Sequence, residues 1–130
     1  MVSLLIVSHS AQLAAGVKEF AEQVAGGKVQ IADAGGAADG SLGTSVDRIQ
    51  ERLRQITSLD GTLVLVDLGS AVLSVEMAIE GLDGDRVLIS DAPLVEGAYL
   101  AAIEASAEGV TLEQVARAAL EGRELIKVHA

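Results

Sequence analysis

His9 is the side chain in this sequence best placed to act as a nucleophile. It sits in Ser8-His9-Ser10, directly after an apolar run and directly before a helix-like pattern. A ring at a helix N-terminus meets free N–H groups and the positive end of the helix dipole, which suit an incoming or attached anion. A carboxylate that accepts the Nδ1 proton leaves Nε2 free to attack, and Asp67 is the candidate for that partner. Ser10, Gly69 and Ser70 are small, so backbone amides can come close to phosphate-sized oxygens, and the two hydroxyls add donors. Plainer readings exist: His9 packing or capping at a helix start, and Asp67, Asp33 and Asp91 capping loops at strand ends. His129, near a terminus in an apolar tail, reads as structural or exposed.

The elements that must position these residues follow from periodicity. Residues 2–7 (VSLLIV) form a nearly continuous apolar run, the pattern of a strand covered on both faces. Residues 11–25 place Leu13, Val17, Phe20 and Val24 on one helical face, with Ser10 as N-cap and Gly26-Gly27 as the stop. A second strand is expected at 28–33, then the glycine-rich stretch AGGAADGSLG at 34–43, the one segment expected to be mobile. A helix from about Ser45 carries Val46, Ile49, Leu53 and Ile56 on its apolar face. TLVLVDL (62–68) is the third strand, GSAVLSVEMAIEGL (69–82) the third helix, Asp83-Gly84-Asp85 a turn and RVLISD (86–91) the fourth strand. Pro93 opens a helix through Leu94, Ala98, Ala101 and Ala105. Thr111 to Gln114 has the capping-box pattern and opens a last helix through Val115, Ala119 and Leu120. The tail LIKVH reads as a short final strand, antiparallel to the rest.

Alternating strands and helices predict one α/β domain over residues 1–130: an open, mostly parallel sheet with helices on both faces. With the strand order taken as 2-1-3-4, order reverses between strands 1 and 3. Ligands of such sheets bind beyond the carboxyl ends of the strands at that point. His9 and Asp67 would then face each other across one crevice.

Composition narrows the chemistry. There are 19 acidic residues against 9 basic ones, a formal charge of −10, with one Phe, one Tyr and no Trp. Phosphate backbones are repelled and base-stacking side chains are nearly absent, so nucleic acid is not an expected partner. Zero cysteines exclude disulfides and thiolate chemistry. No apolar run approaches the roughly 20 residues that span a bilayer, and no signal-peptide pattern opens the chain; a cytoplasmic protein is expected. The glycine loop lacks the Lys-Ser/Thr of a nucleotide P-loop, and no Gly-x-Gly-x-x-Gly follows the first strand. A receiver-like Mg²⁺ site would need two acids after the first strand, where serines and histidine stand. No metal site is expected.

VSHS after the first strand and LVLVDLGSAVLSVEMA at the third closely resemble the phosphoryl-carrier subunits of bacterial phosphotransferase-dependent dihydroxyacetone kinases, in the mannose-type IIA fold family. The likeness runs to VEGAYLAAIEASAEGVTLEQV, over essentially the whole chain. Sugar-transporting relatives tend to carry Gly-Gly-Ser/Thr-Pro after the third strand. Gly69-Ser70-Ala71 here has no proline, which favours the dihydroxyacetone branch over a IIA domain that discharges to a IIB domain, or over a regulatory module of the same fold. The resemblance implies that His9 is the phosphorylated histidine, charged by the carrier HPr and discharged to ADP held with Mg²⁺ in a separate subunit. It implies that Asp67 orients the imidazole and that no cofactor is bound by this chain. It further implies that HPr is a separate protein and that the chain forms a homodimer with LIKVH in the contact. Leu13, Leu68 and Leu73 could form an apolar docking rim, or belong to the core.

Overall fold

The computed structural model describes residues 1–82 and 86–129, so the expected turn at Asp83-Gly84-Asp85 lies outside the described residues. Four parallel strands, β1 (Ser3–Ser8), β2 (Ile31–Gly35), β3 (Thr62–Val66) and β4 (Val87–Ile89), form one sheet in the order β2-β1-β3-β4. Between and after them lie α1 (Ala11–Ala25), α2 (Val46–Ile56), α3 (Gly69–Glu80), α4 (Leu94–Ala105) and α5 (Leu112–Leu120), with a 3-10 turn at Glu121–Glu124. The expected α/β architecture and strand order are both present.

The continuous apolar run of β1 splits by side-chain alternation between two cores. Leu4 and Ile6, with Leu63 and Leu65 of β3, pack against α1, α4 and α5. Leu5 and Val7, with Val64 and Val66, pack against α2 and α3. Right-handed crossovers explain this division: the connection from β1 to β2 runs one way along the sheet, and those leading to β3 and β4 run the other way. The reversal leaves β1 and β3 adjacent, with α1 and α3 departing on opposite faces.

Caps begin the helices where expected. Ser10, Ser45 and Thr111 each accept a backbone N–H in the first turn, and Thr111 with Gln114 completes the capping box. The apolar face of α2 is as expected, with Ile49, Leu53 and Ile56 buried. The face of α1 is rotated by about one residue. Ala14, Val17, Ala21 and Ala25 are buried, whereas Leu13 and Phe20 are exposed. Small residues let α1 lie close on the sheet and on α4, so the larger side chains move to the margin, where Phe20 stacks on Tyr99 with ring centroids 5.7 Å apart.

Three other expectations are corrected. β2 begins at Ile31 because Gly26 and Gly27 both have positive φ and the chain turns through Lys28 to Gln30 before pairing. Asp33 is therefore inside β2, opposite Ile6, and pairs with Lys18 at 3.7 Å instead of capping a strand end. The tail forms no strand: residues 125–129 are exposed and irregular, and Lys127 Nζ lies 2.7 Å from Glu96 Oε2 of α4. That contact ties the tail to the first turn of α4, where it makes no ladder hydrogen bonds. The glycine-rich stretch and the residue after it are hydrogen-bonded to neighbouring elements. Gly43 N–H donates to the His9 carbonyl at 2.9 Å, and the Thr44 and Ser74 hydroxyls are 2.6 Å apart.

Candidate functional site

The site lies at the carboxyl ends of β1 and β3. Pairing of Val7 with Val66 sets the two strands level, so the residues that follow them, Ser8-His9 and Asp67, leave the sheet side by side. Gly35 at the end of β2 lets α1 begin here. A Cβ at Gly35 would stand 2.6 Å from the Ser10 carbonyl oxygen and 2.7 Å from Ala11 Cα, closer than side-chain atoms tolerate.

Asp67 is the hub. Its Oδ2 accepts from the Ser8 hydroxyl and from the His9 backbone N–H, each at 2.9 Å. Its Oδ1 accepts from Leu68 N–H at 2.7 Å, and His9 Nδ1 stands 3.0 Å from Oδ1 and 3.2 Å from Oδ2. Burial acts to raise the carboxyl pKa, but these donors outweigh it: the His9 N–H, the Ser8 hydroxyl, the His9 ring and the Leu68 N–H together hold it below the ordinary value. Asp67 is thus a carboxylate at neutral pH. A carboxylate only accepts, so Nδ1 carries the proton in the neutral ring and Nε2 presents its lone pair.

Nε2 faces α3. The Ser70 hydroxyl is 2.8 Å away and, with Nδ1 protonated, is the donor. The N-cap position of α3 is Leu68, which offers no side-chain acceptor, and the Gly69 and Ser70 N–H groups have no acceptor among the described residues. The Ser70 hydroxyl and the unengaged N–H groups at the start of α3 thus stand on the Nε2 side of the ring, where an anion would be stabilised. Ser10 is already engaged within its own segment. Its Oγ accepts from Leu13 N at 3.2 Å as the cap of α1, and its N–H donates to Ser8 Oγ at 3.0 Å. The His9 side chain keeps 28 % of its accessibility and that of Asp67 13 %, so the imidazole is reachable while the carboxylate is sheltered.

The structure thus brings His9, Asp67 and Ser70 into contact, with Gly69 beside Ser70 in the first turn of α3 and the Ser10 hydroxyl turned to the cap of α1. Asp91 lies elsewhere, paired with Arg123, and His129 is exposed in the tail. Leu13, Leu68 and Leu73 are 44 %, 62 % and 66 % exposed, which resolves their reading as surface, not core. Sequence reasoning missed Ser8, which is fully buried. The only sequence signal is a serine that ends β1 directly after the large apolar run Leu4, Leu5, Ile6 and Val7. No group of three or more residues among those described could hold a metal ion.

The family model described as the phosphotransferase-system fructose IIA component, EIIA-man, matches residues 3–115. The chain belongs to the EIIA-man family. Within it, the chain groups with dihydroxyacetone kinase phosphoryl donor subunits. It is 39 % identical over 107 residues to "PEP-dependent dihydroxyacetone kinase 2, phosphoryl donor subunit DhaM" of Listeria innocua, covering 80 % of this chain and 86 % of that one. The Escherichia coli K12 subunit of the same description is 40 % identical over 121 residues, 88 % of this chain but only 25 % of that longer protein. Among solved structures, a protein of unknown function designated EF1359 superimposes with a TM-score of 0.80 at 38 % identity, covering 92 % of each chain. The phosphotransferase-system component EIIA of Streptococcus agalactiae shares the fold, with a TM-score of 0.71 at 17 % identity over 98 % of this chain and 97 % of that one.

Proposed function

We propose that this chain is the phosphoryl donor subunit of a phosphoenolpyruvate-dependent dihydroxyacetone kinase, carrying the phosphoryl group on His9 Nε2. The observation that supports this reading most strongly is the polarity of the imidazole. Nδ1 is bound to a carboxylate and Nε2 points at the uncapped N-terminus of α3.

The transfer balances simply. The Nε2 lone pair attacks phosphorus as the bond to the phosphohistidine of HPr breaks, and that electron pair returns to the donor ring. The Nδ1 proton stays between His9 and Asp67, whose negative charge offsets the positive charge on the phosphorylated ring. The Ser70 hydroxyl turns from Nε2 to a phosphoryl oxygen, joined by the Gly69 and Ser70 N–H groups. In the second step a β-phosphate oxygen of ADP attacks, the N–P bond breaks and Nε2 recovers its electron pair. ADP and its Mg²⁺ belong to a separate subunit, where the ATP formed phosphorylates dihydroxyacetone. Such transfers depend on positioning and charge stabilisation, and Leu13, Leu68 and Leu73 provide an apolar rim for docking both partner proteins. No helix among the described residues is long and apolar enough to cross a membrane; this accords with work in the cytoplasm. The exposed side chains of Leu125, Ile126 and Val128 support a role for the tail in a homodimer contact.

Intact mass after incubation with phosphoenolpyruvate, the first enzyme of the system and HPr tests the proposal. One acid-labile phosphate is expected, absent in His9→Ala, and lost with stoichiometric ATP formation when the ADP-loaded subunit is added. A phosphate retained in the presence of that subunit would favour a sugar-transport or regulatory role, and no phosphate would reject the carrier reading.

A further inference from the structure

Ser8 does not touch the space in front of Nε2, yet it is a fully buried polar side chain between the two groups that define the site. Its hydrogen-bond polarity is set by its neighbours. The Ser10 N–H can only donate, so Ser8 Oγ accepts from it at 3.0 Å. The Asp67 carboxylate can only accept, so the single Ser8 hydroxyl proton is directed to Oδ2 at 2.9 Å. The Ser8 backbone is anchored as well: its carbonyl accepts from Gly36 N–H at 3.1 Å, and the residue pairs with Gly35 of β2. Two donor paths therefore converge on the Asp67 carboxylate, one from Ser10 N–H through the Ser8 hydroxyl and the other from Nδ1–H of His9.

The geometry points to Ser8 as a positioning residue for phosphoryl transfer, one that holds the Asp67 carboxylate in the rotamer that keeps the proton on Nδ1 and leaves Nε2 unprotonated. This rests on the carrier function proposed for His9 and names a residue through which that function is set. Without the Ser8 hydroxyl, Oδ2 retains only the His9 N–H and a longer contact to Nδ1, and the Ser10 N–H loses its acceptor. Oδ1 still accepts from Leu68 N–H and faces Nδ1, so the carboxylate stays in place but loses the side-chain donor that fixes its Oδ2 edge. Its hold on Nδ1–H weakens, and the Nε2–H tautomer, which cannot attack phosphorus, gains population.

Two readouts test the assignment. The first is the ¹⁵N spectrum of the His9 ring in the unphosphorylated protein, which reports the tautomer directly. The wild-type ring is expected as Nδ1–H, Ser8→Ala should show a measurable share of Nε2–H, and Ser8→Thr, which keeps the hydroxyl, should return towards wild type. The second is the rate of phosphate uptake from phospho-HPr. Ser8→Ala should slow it by about 10- to 100-fold, the effect of losing one hydrogen bond to a charged group. In the Asp67→Asn background the same change should slow it no further, because Ser8 acts through Asp67. Circular dichroism establishes that each variant is folded; should Ser8→Ala fail to fold, Ser8→Cys, similar in size but a weak donor, is read in the same way. A tautomer unmoved by Ser8→Ala, a rate within about twofold of wild type, or a full further loss in the Asp67→Asn background would each overturn the assignment. The ring spectrum needs no phosphate donor. A wild-type protein that took no phosphate yet showed the Ser8-dependent tautomer would therefore reject the carrier function, not the hydrogen-bond chain.

Discussion

Two helices, α1 and α3, begin at the carboxyl ends of neighbouring strands and flank the same crevice, but their first turns are finished in opposite ways. α1 is closed: Ser10 caps it by accepting from Leu13 N, and its start is pressed onto Gly35 of β2. α3 is open: Leu68 holds the N-cap position with no side-chain hydrogen bond and an exposed side chain. Replacing a serine-type cap by an aliphatic residue forgoes about 1 kcal/mol, and Leu68 stands where that loss falls. The contrast separates two duties. On the proposed function, the closed helix fixes the segment that carries His9, and the open helix keeps its donors for the phosphoryl group.

The contrast is broken most severely through the residue that joins the two sides. Asp67→Asn keeps the shape but turns an obligate acceptor into a group that also donates, so the proton on Nδ1 is no longer enforced. Phosphate uptake should fall by up to about 10⁴-fold, as when a comparable histidine loses its carboxylate, without vanishing. An uptake rate equal to wild type would reduce Asp67 to a loop cap. The same variant has a stability signature. The folded-state pKa of Asp67 lies below its unfolded value, so its contribution is present above the ordinary carboxylate value and is lost as pH falls through the folded pKa. Urea midpoints of wild type and Asp67→Asn should differ at neutral pH and converge below about pH 4.

A gentler change gives α3 the cap it lacks. Leu68→Ser should raise stability by up to about 1 kcal/mol, visible as a higher urea midpoint. It should slow phosphate uptake, because the new hydroxyl oxygen competes for the N–H groups that would face the phosphoryl oxygens. If uptake is unchanged while stability rises, those N–H groups are not part of the site. The smallest effect is expected on the closed side. Ser10→Ala should lower stability by about 1 kcal/mol and leave uptake within a few-fold of wild type. A large loss of uptake with little loss of stability would instead make the Ser10 hydroxyl a phosphate ligand.

Much of this arrangement was legible in the residues. Apolar runs and caps locate the strands and helices because those signals act over a few neighbouring positions. His9 and Asp67 could be placed across one crevice because an assumed order of 2-1-3-4, which the sheet adopts, brings the ends of β1 and β3 together. Ser8 was overlooked because its importance lies in a partner 59 positions away. Phe20 was expected in the core because its spacing fits a helical face, yet the Ala-lined approach of α1 to α4 left it at the margin beside Tyr99. The tail has apolar residues suited to a strand, but a strand also needs an edge to pair with, and the tail instead meets α4 through the contact between Lys127 and Glu96.

By itself the sequence determined the alternation of strands and helices, the two-faced apolar pattern of β1 and the presence of one histidine at a strand-to-helix junction. Those properties come from short-range periodicity and from the chemistry of single side chains. The tertiary structure decided which nitrogen of His9 is engaged and which is free. It also decided that Ser8 orients Asp67 and that α3 is left open beside the ring. These outcomes depend on the level alignment of β1 with β3, which sets hydrogen-bonding atoms from distant parts of the chain within 3.0 Å of one another.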